Sequence, residues 1–449
     1  MNPFFGSVFW LLVTLGVLVT FHEFGHYWVA RRCGVKVLRF SVGFGTALWK
    51  RVARDGTEYR VAAIPLGGYV KMLDAREGEV PPALAGQEFT SKPVLQRIAI
   101  VAAGPAFNLL FTVLAFWLVF TLGRASYAPI VTATPHSLAA QAGVQPGDRL
   151  LSIGGKAVPT LDDVFTALGD ALLGREATPI VVRERDGTQK QLLLPLQKLP
   201  AGESVDRYME QLGLQPAPPP AIAAVVEPGE PAALAGMRGG DRLLSVNGTP
   251  ATDFVAFGQL VARDAARAPT LHIGIERDGK PLTLAVTAKM LSVQGAPPRW
   301  MIGIAAPPPE AAVQRYGPLG AMRAALAMTR DGVDSIFTMI GKIVSGRASS
   351  KNLSGVVGIA QIANASASAG PTSFIEFLGL ISLNLAVLNL LPIPLLDGGQ
   401  LLYYLIELVK GSPVNERIVV ASQYAGLALL FGLLGLTFYN DIHRLVLPA

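Results

Sequence analysis

Four long apolar runs decide what this 449-residue chain can become. Residues 4–21 carry no charge before Glu23, and the apolar pattern resumes to Ala30. Ile98–Leu122, Phe377–Leu396 and Ile418–Asn440 are charge-free over 25, 20 and 23 residues. Roughly 20 such residues cross about 30 Å of hydrocarbon as a helix, and within it a backbone has to satisfy its own hydrogen bonds. The expectation is a polytopic α-helical membrane protein with four transmembrane helices. A hydrophobic fraction of 51% against 16% charged agrees with it. The first run has no Lys or Arg before Arg31 and no small-residue cleavage site, so it reads as an uncleaved span rather than a signal peptide.

Cations near the spans set the orientation. Arg31, Arg32, Lys36, Arg39, Lys50 and Arg51 follow the first span, and Lys92 and Arg97 lead into the second. After that span only Arg124 appears before Arg149. The 31–97 segment is therefore expected in the cytoplasm, with 124–375 and both termini on the opposite side. The net charge of +6 then reflects membrane topology, and no basic-aromatic pattern points to nucleic acid. The single cysteine, Cys33, allows no internal disulfide.

The region between the second and third spans repeats itself. "SLAAQAGVQPGDRLLSIGG" (137–155) matches "EPAALAGMRGGDRLLSVNG" (230–248) at an offset of 93. "ERDG" at 184–187 returns at 276–279, and "LGL" (212–214) returns as "IGI" (302–304). Pro-rich "PAPPP" (216–220) separates the copies and "PPP" (307–309) closes the second. The pattern resembles tandem α+β PDZ domains in the circularly permuted order of bacterial proteases. That resemblance makes Leu212, Gly213 and Leu214, and Ile302, Gly303 and Ile304, carboxylate-binding loops beside a groove for an added strand. Blocked grooves acting as steric filters remain an equal alternative.

Inside the first span lies "HEFGH" (22–26). His22 and His26, four residues apart, share one helix face. Two imidazoles at that spacing reach one Zn²⁺, with the adjacent Glu23 as general base. Three ionisable groups in a span are expensive unless they do something there. Catalytic zinc takes a third protein ligand. His136 and His272 fall in the repeats and His443 follows the fourth span, whereas Asp397, in "LNLLPIPLLDGG", ends the third span at the same expected depth as the histidines.

HExxH in the first span, "GPAFN" (104–108) in the second, the tandem repeat and "NLLPIPLLDGG" (389–399) together resemble the site-2 protease family over essentially the whole chain. The resemblance implies an intramembrane zinc metalloprotease holding one Zn²⁺ per chain on His22, His26 and Asp397, with Glu23 as base. It implies cleavage within the span of single-span membrane proteins, of anti-sigma-factor type after a first periplasmic cut, in the envelope stress response, with remnant signal peptides as a second substrate class. It places the chain in a bacterial inner membrane, with the PDZ pair and both termini periplasmic and the active site near the cytoplasmic face.

A helical substrate has to be unwound before it is cut. "ALWKRVARDGTEYRVAAIP" carries an Asp55-Gly56 turn between two strand-like runs, so 35–73 reads as a hairpin able to add the substrate as a strand. By resemblance this is a membrane-associated β-element around Gly43, Phe44 and Gly45. Pro392 and Pro394 break the third span. Asn389 offers a polar contact to substrate by family analogy, with interhelical packing equally open for it and for Asn108. Residues 313–344 are amphipathic and suit helices at the outer interface.

The expected division is 1–34, first transmembrane helix with HExxH; 35–96, membrane-associated β region; 97–123, second transmembrane helix; 124–216 and 217–309, the two PDZ domains. It continues with 310–370, interfacial helices and linker; 371–400, third transmembrane helix with the LDG motif; and 401–449, a loop, the fourth transmembrane helix and the C-terminus. Two other classes stay open: a PDZ scaffold with an inert HEFGH, and a zincin acting at the membrane surface.

Overall fold

The structure, a computed structural model, describes residues 3–446 except 77, 201–204, 292–297 and 346–354. It divides into two units, one built from 3–124 and 315–446 and the other from 125–314. In chain order the first unit opens with α1 (Pro3–Arg32), β1 (Val37–Val52), β2 (Glu58–Met72) and α2 (Val94–Leu122).

The β1–β2 element is more than a hairpin. Its turn is the expected one: Gly56 takes φ 80 and the Thr57 N–H donates to Oδ1 of Asp55. Beyond it the two strands pair twice. Phe40 has Tyr59 on one side and Val70 on the other, while Tyr59 also pairs with Arg51. Two long strands thus bend into four short ones, side by side in the order 47–52, 58–62, 37–44, 68–72. The bends fall where glycine relaxes the backbone, at Gly43 (φ 91), Gly45 (φ 83) and Gly67 (φ 153). Tyr27 of α1 packs under this sheet against Phe40 and Tyr59.

The second unit carries the repeat. After β3 (Arg124–Tyr127) come β4 (Ile130–Ala133), α3 (Leu138–Gln141), β5 (Asp148–Ile153), β6 (Lys156–Ala157), α4 (Leu161–Gly174), β7 (Thr178–Arg183), β8 (Gln189–Leu194), α5 (Val205–Leu212) and β9 (Leu214–Pro216). The second copy runs β10 (Val225–Val226), α6 (Pro231–Leu234), β11 (Arg242–Val246), β12 (Thr249–Pro250), α7 (Phe254–Ala265), β13 (Thr270–Arg277), β14 (Lys280–Thr287), β15 (Lys289–Leu291), β16 (Arg299–Met301) and β17 (Ile304–Ala305), then β18 (Ala311–Gln314). The first sheet has the order β8-β7-β5-β4-β9; the second has β12-β11-β13-β14 with a separate β10–β17 pair. The shared Gly-Asp turn has one physical cause. Gly147 and Gly240 take φ 90 and 93, and each following aspartate accepts a backbone N–H at 2.8 Å, from Gln145 and Arg238. Each copy buries its own core, around Leu150, Leu168 and Ile180 and around Leu243, Phe257 and Ile273.

The first unit resumes with α8 (Pro318–Val344), α9 (Val356–Ala369), α10 (Pro371–Leu390), α11 (Asp397–Lys410) and α12 (Glu416–Val446). Among the described residues three helices are long and apolar enough to cross a membrane: Phe4–Arg32, Val94–Leu122 and Pro371–Leu390. The fourth expected span falls on α12, several of whose side chains lie outside the described residues. Of the 310–370 segment, 311–314 is a strand, and α8 packs Ala321 and Ala325 on Phe116 and Phe120 of α2 while Leu319 and Phe337 stay exposed. Part of its linker lies outside the described residues.

Two boundaries are corrected. The third helix does not run to 400 with the LDG motif inside it; it stops at Leu390, because Pro392 and Pro394 cannot donate to a continuing ladder. Residues 401–410 are not a loop but the body of α11, a helix that Asp397 opens.

Candidate metal centre and active site

α1 and α2 cross closely because Gly25 lets them. A Cβ there would collide with the Ala103 carbonyl of α2. Gly104 then faces the imidazoles, and a Cβ on it would overlap both His22 and His26. Small residues at such a crossing let backbones approach. Here the approach also leaves a cradle for two rings.

The third group arrives from α11. The 391–396 segment folds back so tightly that a side chain at Gly398 would strike Leu391 O, and one at Gly399 would strike Ile393 O. Gly426 of α12 abuts Pro394 in the same way. Leu395 takes φ 86, a strained conformation for a residue with a side chain. The result sets the Asp397 carboxylate against the histidines. His22 Nε2 lies 3.2 Å and His26 Nε2 3.5 Å from Asp397 Oδ2, and the two imidazole nitrogens are 3.3 Å apart.

These three separations match those between the ligand atoms of a bound zinc ion. Tetrahedral zinc with bonds near 2.0–2.1 Å separates its ligand atoms by roughly 3.3 Å. Among the described residues this trio is the one cluster of three metal-binding groups. Asp397 Oδ2 is buried without a hydrogen-bond donor, which leaves its charge for a cation. The donor set of two imidazoles and one carboxylate is one that catalytic zinc uses.

The outer contacts agree. Nδ1 of His26 lies 2.8 Å from Ile100 O, so it carries the hydrogen and Nε2 keeps its lone pair for the cluster. The buried Asn108 amide lies 3.2 Å from Nδ1 of His22. A half-turn of that amide presents Oδ1, otherwise buried without a partner, to the Nδ1–H that a ligating His22 carries. Asn108 is held in turn by its backbone oxygen, which accepts from Ser382 Oγ at 2.8 Å and Thr112 Oγ1 at 3.0 Å. The sequence left substrate contact and interhelical packing open for Asn108; the geometry places its amide beside His22.

Glu23 lines the same cavity of about 300 Å³ as His26 and Asp397. Gly68 of the 68–72 segment packs on the Glu23 side chain. The strand nearest Glu23 is therefore 68–72. Gly43, Phe44 and Gly45 lie at the bend, where Phe44 stacks on Tyr69. Sequence reading missed this segment, although "LGGYV" (66–70) carried a signal in its paired glycines. Asn389 is half-buried at the end of α10, just before Pro392 and Pro394. The repeat-domain loops belong to the other unit. Leu212, Gly213 (φ 65) and Leu214 join α5 to β9, and Ile302, Gly303 (φ 79) and Ile304 lead into β17.

A family model described as peptidase family M50 matches residues 10–433. The chain belongs to that family. Its relatives cover the same length. A Xylella fastidiosa (strain 9a5c) protein bearing a zinc metalloprotease name is 47% identical over 98% of this chain and 100% of its own. The regulator of sigma-E protease RseP of Escherichia coli (strain K12) is 40% identical over 97% of this chain and 98% of its own. The protease RseP of Yersinia pestis is 41% identical over 98% and 100%. As an M50 member the chain is a site-2-type zinc metalloprotease of the membrane, and the family resemblance read from its motifs stands.

Proposed function

We propose that the chain hydrolyses a peptide bond within the transmembrane segment of single-span membrane proteins, using one zinc ion held by His22, His26 and Asp397. The observation that carries this reading is the convergence of three ligand atoms, 3.2–3.5 Å apart, on helices that include an apolar span. Zinc bound there acidifies and orients a water molecule. Glu23, lining the same cavity, takes the proton and returns it to the leaving amine. Ile100 and Asn108 hold the imidazoles in the ligating tautomer. The 68–72 edge beside Glu23 takes the unwound substrate as an added strand, with Gly43, Phe44 and Gly45 shaping its bend. Asn389, Pro392 and Pro394 contact the extended peptide where α10 ends.

In this reading α12 is the fourth span, 31–97 faces the cytoplasm, and the repeat domains and both termini face the periplasm of a bacterial inner membrane. The two repeats are PDZ domains that exclude substrates with bulky outer parts, so that cleavage follows a first periplasmic cut. The Escherichia coli relative's name, regulator of sigma-E protease, supports a link to sigma-E, and the substrate in this reading is an anti-sigma factor of the envelope stress response. Remnant signal peptides are a second class.

The test is cleavage of a single-span model substrate in detergent by the wild type and Glu23→Gln, with zinc measured for both. Cutting within the span by the wild type, and about one zinc without cutting in the variant, is the expected result. A wild type that neither binds zinc nor cuts ends the proposal.

A further inference from the structure

We infer that the outer half of the β1–β2 sheet is a binding site for the headgroup of an anionic phospholipid. The site is a cleft of about 590 Å³ on one face of the sheet, the size of a small-molecule site. Its floor is apolar and aromatic, from Phe40, Val42, Trp49 and Val61, and its rim carries Arg51 and Arg54.

Three observations name the ligand. First, the rim cations are not engaged elsewhere. Arg31 pairs with Asp55, and Arg39 and Arg60 pair with Glu58, which uses both carboxylates of this half of the sheet. Arg51 and Arg54 are exposed and have no ion pair among the described residues. Second, the apolar groups that line the cleft beside them are open: Trp49 is 53% exposed and Val61 44%. Tryptophan with an apolar body and a polar edge, next to arginines, matches the boundary between acyl chains and phosphates. Third, the depth fits. Asp55, in the turn that joins 47–52 to 58–62, is bridged at 2.9 Å to Arg31, in the last turn of α1 where the apolar span gives way to charge. That contact holds the cleft at headgroup level.

A zwitterionic headgroup offers these arginines a phosphate with its own counter-charge. A phosphatidylglycerol or cardiolipin headgroup offers it uncompensated. Lysine and arginine on the edge strand also discourage strand pairing between copies. That role alone needs neither an aromatic floor nor a cleft. The new content is the selectivity for anionic headgroups and the residues that carry it.

The experiment is native mass spectrometry of the full chain in detergent, titrated with phosphatidylglycerol or phosphatidylcholine. The variants are Arg51→Gln/Arg54→Gln and, as an equal-charge control in the second repeat, Lys280→Gln/Arg299→Gln. Each surface cation contributes roughly fivefold to anionic-lipid affinity, so the double variant is expected to lose on the order of 20-fold while the control keeps wild-type retention. Equal retention of the two lipids by the wild type overturns the proposal, as does undiminished phosphatidylglycerol retention in the double variant. If that variant loses its zinc and so reports misfolding, the wild type alone decides. Retention that does not fall with added salt rejects the charge-based site. Slower cleavage of a model substrate by the double variant in lipid-free detergent, with lipid retention intact, assigns the cleft to substrate and also overturns it.

Discussion

Asn108 and His22 meet at 3.2 Å, 86 residues apart in sequence, at the crossing of α2 and α1. The amide stands behind the imidazole, on the side away from Asp397. Second-layer partners of this kind orient a ligating ring and select its tautomer. Asn108→Ala is expected to weaken zinc binding by about 10–100-fold while leaving the helices intact. Chelator competition on the purified protein measures it; unchanged affinity assigns Asn108 to packing alone.

Gly104 provides the cradle. Its Cα faces both imidazoles so closely that any side chain displaces them. Gly104→Ala is expected to abolish zinc binding or reduce it at least as much as loss of Asn108, although alanine is the better helix former by about 1 kcal/mol. The informative readout is a protein whose thermal stability in the presence of chelator holds or rises while its zinc content falls.

Arg97 ties the helix that Asp397 opens to α2. Its guanidinium makes bonds of 3.1 and 2.8 Å to the two carboxylate oxygens of Glu407 and lies 4.9 Å from the centre of the Tyr404 ring. Both charged side chains are largely buried, and stranding one of them costs about 3–5 kcal/mol. Glu407→Gln is expected to lower the melting temperature and speed zinc release, because α11 begins with Asp397. An Arg97→Met/Glu407→Leu double variant, which strands no charge, is expected to recover much of the stability. A double variant as unstable as the single one removes this account.

The two repeats should respond oppositely to acid. In the second, the Arg277 guanidinium holds the Asp241 carboxyl below the usual carboxylate range. That stabilisation is present above the unfolded pKa, near 3.9, and is lost as pH falls through the lower folded value. In the first, burial pushes the Asp148 carboxyl up. A raised acid favours the folded state when protonated, so this copy gains stability as pH drops through its folded value towards 3.9. Hydrogen exchange on the full chain, resolved by repeat, is expected to show protection falling in 217–309 and not in 124–216 as pH is taken below 4. Asp241→Asn should destabilise its repeat and Asp148→Asn should not.

Much of this protein was legible before any coordinates. Charge-free length marked the three helices that are long and apolar enough to cross a membrane, because lipid leaves a backbone few choices. The HEFGH spacing put two imidazoles on one helical face because helical geometry is local. The repeat and its Gly-Asp turn were legible for the same reason: a positive φ at Gly147 and Gly240 is a property of one residue and its neighbours. Non-local relationships were not legible. The prolines of "NLLPIPLLDGG" mark a break in the third span, but nothing in the stretch says that Asp397 opens a separate helix. The backbone collisions around Gly398, Gly399 and Gly426 decide that, and they exist only once α11 and α12 are packed. Likewise 35–73 reads as a hairpin because its turn is local, whereas the second pairing that sets 68–72 beside Glu23 depends on two bent strands returning past each other. The sequence by itself determined which chemical groups are buried in the membrane region. Tertiary packing decided which of them touch, because distances of about 3 Å between residues hundreds of positions apart follow from whole-chain packing rather than from any local preference.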